Sequence, residues 1–254
     1  RPDGVVSCVS FDKIYETTKA LLSHRVPLLI EKPAGTSLWE LNDLIQTQQQ
    51  YGTKVQVAFN RRHYSVIHKA IADMGGIDQL NMFSVEWSEN PVKAKDTKNY
   101  TRDQLEKLIF GNSIHGLDAL AWYTGGVENF HVQTKKSTSF LGWNMALSGT
   151  SKRGVLINFL SSWDSPVPWR IVMYGGGKRY EFAPLETCRV FDAAGQRELT
   201  PATVDQTFKA GFYQQAKRFL ELIEGKSSGN DFDLSSGVGA MTMAEALYRD
   251  LMFK

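Results

Sequence analysis

Little in this sequence is extreme, and each shortage removes a class of protein. Only two cysteines occur in 254 residues, Cys8 and Cys188, at no metal-ligand spacing. No disulfide framework or cysteine-held metal is therefore expected, and both thiols read as reduced, as in a cytoplasmic protein. Long apolar runs are missing: the longest, at 26–30 and 154–160, fall far short of the roughly 20 residues of a membrane helix. An excess of one charge is missing too. With 29 basic and 27 acidic residues the net charge is +2, so no broad footprint for nucleic acid or a membrane surface is present. There is no signal-peptide pattern, internal repeat or low-complexity segment. The chain opens on Arg1 rather than methionine, and the expectation is that the natural chain begins upstream. What remains is an ordinary globular composition, 42% hydrophobic and 22% charged, long enough for one large domain or two small ones.

The first sixty residues alternate strand and helix signals. Residues 5–10 are a short apolar run. Residues 13–23 have helical spacing, with Ile14, Thr18, Leu21 and Leu22 on one side. Residues 26–30 are apolar enough to be buried on both faces, as parallel strands are. Ser37-Leu38-Trp39-Glu40 reads as a capping box opening a helix that ends near Gly52. Residues 54–59 alternate, with Val55, Val57 and Phe59 facing one way. This β-α-β-α-β order is that of a doubly wound parallel sheet.

After Asn60 the pattern changes. A helix is expected over 65–74, a strand over 79–87, a polar lysine-bearing loop over 90–104, and a helix over 113–123. Strand-like runs follow at 129–135, 139–148, 154–163, 169–174 and 178–182, joined by short turns, as in an open antiparallel sheet. Helices over 207–224, carrying Phe208, Phe212, Ala216, Phe219, Leu220 and Ile223, and from 236 to the end close the chain. The fold class is α/β: half of a dinucleotide-binding sheet over 1–60, then an α+β domain with a large open, mainly antiparallel sheet over 61–254.

Three stretches carry a resemblance. They are Ile30-Glu31-Lys32-Pro33-Ala34-Gly35 and Val57-Ala58-Phe59-Asn60-Arg61-Arg62, each at a strand end, and Asn112-Ser113-Ile114-His115-Gly116-Leu117-Asp118 opening a helix. In this order they resemble the family of glucose–fructose oxidoreductase, inositol dehydrogenase and the rhizopine-catabolism dehydrogenases, over nearly the whole chain. The resemblance implies a Rossmann domain followed by an α/β domain. It also implies NAD or NADP as cofactor, a sugar or polyol as substrate, and a homodimer or homotetramer formed through the open sheet. It implies Lys32 and His115 as catalytic residues, with Ser10, Phe11, Glu31, Lys32 and Pro33 near the nicotinamide half of the cofactor. Arg62, Asn112, Asp118 and Trp163 are the substrate contacts to look for.

Physical reasons stand beside this. Lys32 lies just past the carboxyl end of a parallel strand, where open α/β sheets build ligand sites. A cation there favours loss of a hydroxyl proton. His115 falls in the first turn of its helix, whose positive end should keep it neutral and able to accept that proton. Asp118, three residues on, could reach His115 or a sugar hydroxyl. Two departures from the family pattern matter. Its aspartate four residues before the histidine is here Gly111, and its Gly-rich pyrophosphate turn would precede Arg1. Both motivate an alternative reading, a non-catalytic sugar-binding or assembly module. Two glycine-rich stretches have plainer readings: Gly175-Gly176-Gly177 as a hairpin turn, and Gly237-Val238-Gly239 as a helix start.

Overall fold

The computed structural model describes residues 2–228 and 230–253. Three short strands, β1 (Val5–Ser7), β2 (Leu28–Ile30) and β3 (Val55–Val57), pair in parallel, Val5 beside Leu28 and Leu28 beside Val55. Helices α1 (Ile14–Leu22) and α2 (Leu38–Tyr51) connect them. Every residue of β2 and β3 is buried, so the one-sided alternation expected for 54–59 gives way to a strand covered on both faces. Ser37 caps α2 by accepting the Glu40 N–H, and Gly52 ends it with φ 65°. The capping box is not reciprocal, however. The Glu40 carboxylate takes the N–H and hydroxyl of Thr36 instead of the Ser37 N–H.

A 3₁₀ turn (Asn60–His63) leads into α3 (Ser65–Met74) and β4 (Leu80–Ser88). The expected loop at 90–104 is two helices, α4 (Pro91–Lys98) and α5 (Arg102–Glu106). Asn90 caps the first, and a complete Thr101–Gln104 capping box starts the second, so local capping outweighs the polar composition. A π-helical turn (Ile109–Ser113) runs into α6 (Ile114–Thr124). Strands β5 (Val127–Lys136), β6 (Trp143–Ser151), β7 (Leu156–Ser162), β8 (Arg170–Gly175), β9 (Lys178–Phe182), β10 (Cys188–Asp192) and β11 (Gly195–Leu199) complete an eight-stranded sheet with β4. Its order is β11-β10-β9-β8-β4-β7-β6-β5. All pairings are antiparallel except β4 with β7. The turn between β8 and β9 is the expected hairpin, with Gly176 and Gly177 at positive φ.

The expected helix over 207–224 is broken. α7 (Thr203–Thr207) and α8 (Phe212–Ile223) are separated at Gly211, whose φ is 78° and where a Cβ would lie 2.1 Å from the Asn60 carbonyl oxygen. The break rotates the buried face of α8 to Gln215, Phe219 and Leu222, and leaves Phe208, Phe212 and Leu220 exposed. The last helix, α9 (Val238–Met252), starts at the Gly237-Val238-Gly239 stretch. It bridges the two sheets: Glu245 accepts the Leu38 N–H at 2.7 Å, and α9 packs on α6 and β5. The inner face of the large sheet, with Phe83, Val85, Trp87, Phe159 and Met173, carries the core. Among the described residues no helix is long and apolar enough to cross a membrane.

Candidate active site

The carboxyl ends of β1 and β2 open into a cavity of about 850 Å³. Ser10, Phe11, Glu31, Lys32 and Asn112 all line it, together with Glu89, Lys93 and Tyr100. Lys32 crosses from the end of β2 to the π turn, where its Nζ donates to the Gly111 carbonyl at 2.6 Å. That bond uses one of the three ammonium donors. Burial pulls the Lys32 pKa down to about 8, Arg61 pushing the same way and the Glu31 and Glu89 carboxylates opposing.

Glu89 escaped the sequence reading. It follows β4 directly and is buried, and its carboxylate is the hub of the site. Oε1 accepts from Trp87 Nε1 at 3.2 Å and from Ser113 Oγ at 2.8 Å, and Oε2 accepts from Asn112 Nδ2 at 2.7 Å. Burial nevertheless pushes its pKa up to about 7, against these donors and Lys32. The signal was readable: position 89 is in phase with the inward Phe83, Val85 and Trp87, so a carboxylate there must face the interior.

His115 is buried and does not line the cavity; its Nδ1 has no hydrogen-bond partner. Its pKa is held well below the ordinary value, but not by a helix end. The π turn continues the helix upstream, and burial is the main cause, followed by the charges of Lys32, Arg61 and Lys209. Arg61 lies over the stacked rings of Trp87 and Trp169, at 5.2 and 5.3 Å from their centres.

Four expected contacts lie elsewhere. Arg62 and Asp118, each 1% exposed, form a bidentate ion pair in the interior, with Nε 3.0 Å from Oδ2 and Nη2 2.5 Å from Oδ1. Asp118 therefore contacts neither His115 nor the cavity, and Arg62 is not available to a substrate. Pro33 is buried behind the cavity wall. Trp163 stacks on Trp143 with centroids 4.7 Å apart and lines a second cavity that adjoins this one rather than this one itself. At Gly111 the Phe11 ring fills the space: a Cβ would meet Phe11 Cδ1 at 3.0 Å. An aspartate there and this phenylalanine compete for one volume, while Glu89 brings a carboxylate in from β4.

No family model matches the chain. The rhizopine catabolism protein MocA of Rhizobium meliloti is 26% identical over 262 residues, spanning 98% of this chain and 77% of that protein. A Gfo/Idh/MocA family oxidoreductase from Vibrio cholerae has the same fold, with TM-score 0.80 and 15% identity over 99% of this chain and 78% of that one. An oxidoreductase from Agrobacterium radiobacter, solved with NAD+, L-tartaric acid and magnesium, matches with TM-score 0.72 and 16% identity over 98% of this chain and 78% of that one.

Proposed function

We propose that the chain is an oxidoreductase of the Gfo/Idh/MocA type, as its likeness to MocA and to the Vibrio cholerae fold supports, and that it moves a hydride between NAD or NADP and a carbinol of a sugar or polyol. The observation that carries this is one cavity at the ends of two parallel strands, walled by a lysine with a depressed pKa and a carboxyl with a raised one. The strand ends fit a nicotinamide: Ser10, Phe11, Glu31 and Lys32 line the cavity there, where open parallel sheets receive ligands. When bound, the nicotinamide would supply the two-electron chemistry.

The chain's own residues handle the proton and the geometry. Lys32, with two ammonium donors beyond its bond to Gly111, holds the carbinol oxygen and favours its deprotonation. His115, neutral but set behind the cavity lining, is the proton acceptor and must come within reach of the carbinol when substrate binds. Glu89 fixes Asn112 and Ser113 and supports the Lys32 charge, standing in for the aspartate that Gly111 lacks. A carboxylate in that place weakens the case for a non-catalytic module. Residues 1–60 then serve the cofactor and 61–254 the substrate. The outer face of the large sheet, where Met82, Leu156, Leu160 and Tyr174 are exposed, joins copies of the chain into a dimer or tetramer.

The test is Lys32→Ala, assayed by nicotinamide absorbance with a panel of sugars and polyols. Turnover is expected to fall about 10²–10⁴-fold, with the thermal midpoint barely changed because a buried charge is removed. Near-normal turnover refutes the role of Lys32.

A further inference from the structure

A second cavity of about 930 Å³ adjoins the first, and the two share Ser88, Glu89, Asn90, Lys93 and Thr97. The amino-terminal part of α4 is thus a common wall, and a ligand reaching past Glu89 enters a second compartment. The second compartment is built in the manner of a carbohydrate site. Trp163 lines it and is 4% exposed, and its indole Nε1 is buried with no hydrogen-bond partner. An unpaired buried donor costs about 1–3 kcal/mol, so a ligand oxygen that reached this N–H would gain a bond that the free protein lacks. The stack on Trp143 fixes the ring. Phe140, 42% exposed, also lines the compartment, with the Lys95 ammonium 5.6 Å from its ring centre.

The charges on the wall select among ligands. Glu89, Asp96 and Asp164 line the compartment against one lysine, Lys93. Asp164 is held by the hydroxyls of Ser162 and Ser165 at 3.0 and 3.3 Å. Asp96 and Asp164 repel a phosphate or a nucleoside diphosphate and accept hydrogen bonds from hydroxyl groups, while the Glu89 oxygens are already engaged by Trp87, Asn112 and Ser113. We propose that this compartment binds a second, uncharged sugar ring, so that the substrate is a disaccharide or larger glycoside whose reacting ring occupies the first cavity. This rests on the reading of the first cavity as the site of sugar oxidation.

The experiment is calorimetric titration of the purified protein, without cofactor. Methyl hexosides of glucose, galactose and mannose are compared with the corresponding linked disaccharides. At least one disaccharide is expected to bind about tenfold or more tightly than its matched methyl hexoside. Trp163→Phe, which keeps the ring and removes the N–H, is expected to cut that advantage about 3–10-fold. Phe140→Ala, a change at an exposed residue that leaves the core intact, is expected to cut it as well. The proposal is overturned if no disaccharide binds more tightly than its hexoside, or if both variants keep the full advantage. Binding is read apart from redox chemistry. A protein that binds disaccharides but reduces no nicotinamide with any sugar sinks the dehydrogenase reading and leaves only the two-ring binding site standing. An active dehydrogenase with no disaccharide preference does the reverse.

Discussion

Lys32 and Glu89 are each held against their ordinary ionisation by burial, one down to about 8 and the other up to about 7. Two opposite charges that burial disfavours are kept by mutual support, which is how a site keeps acid and base poised near neutrality. With Lys32 required as the ammonium and Glu89 as the carboxylate, kcat/KM should fall below about pH 7 and above about pH 8, following the two groups. Glu89→Gln should remove the acid limb and move the alkaline limb to lower pH, since Lys32 loses a carboxylate that raises its pKa. A Gln variant with an unaltered profile would detach Glu89 from the chemistry. The same residue makes a stability prediction. Its folded pKa lies above the 4.5 of a free glutamate, so the folded state holds the extra proton. The stability this contributes is complete below pH 4.5 and lost as pH rises through about 7. Relative to the parent, Glu89→Gln should therefore gain on the order of 2 kcal/mol between about pH 5 and 8, read from urea unfolding at both values. Lys32 stands out not by its strand-end position alone but by that position together with Pro33 and the two later motifs. Glu89 does not stand out until its phase with Trp87 is counted.

At the scale of elements, the Arg62–Asp118 pair joins the 3₁₀ turn after β3 to α6. Arg62 also donates to Ser236 Oγ at 2.8 Å and to the Ser236 carbonyl at 3.0 Å, just before α9, and lies 4.3 Å from the Trp122 ring centre. One side chain thus ties together the turn after β3, α6 and the entry to α9. Asp118→Ala, which strands a buried guanidinium, should cost about 3–5 kcal/mol. Combining Arg62→Met with Asp118→Leu should be milder than the sum of the single changes, in a double-mutant cycle followed by urea unfolding. Additivity would show that the two residues act independently. Sequence pattern leaves Asp118 between a sugar contact and a pairing with an Arg or Lys, and it cannot name Arg62 as that partner, because residues 56 positions apart leave no mark on local pattern. The helices after Asn90 and Thr101 are hidden for the opposite reason: their caps are local, but the polar, lysine-bearing composition of the stretch masks them. The break at Gly211 is masked in the same way, by the apolar spacing around it.

At the scale of the molecule, the small parallel sheet and most of the large one could be read from apolar period and turn residues. Three things could not. β10 is five residues long with only Cys188 and Val190 buried, too short a period to read. β11 is polar and mostly exposed, so it shows no buried alternation, and it takes its strand form from the ladder with β10. The parallel pairing of β4 with β7 is a choice of partner made in three dimensions, and it puts β4, with Trp87 and Glu89 at its end, in the middle of the sheet. The same pairing sets the outer face. Met82 sits opposite Leu156 on one side and Tyr174 on the other, and Leu160 follows on the same face of β7. Glu86, Arg170 and Glu181 form a charged cluster further along that face. An apolar patch bordered by ion pairs has the anatomy of an interface, and strands whose other face is core cannot turn these side chains inward. The proposed dimer or tetramer should therefore appear in light scattering coupled to size exclusion. Leu156→Lys with Met82→Lys should reduce it to the monomer, with little loss of fold because both residues are about half exposed (51% and 44%). An assembly unchanged by both lysines would place the contact on another surface, and a parent protein that is monomeric at all concentrations would leave this apolar face without a self-partner.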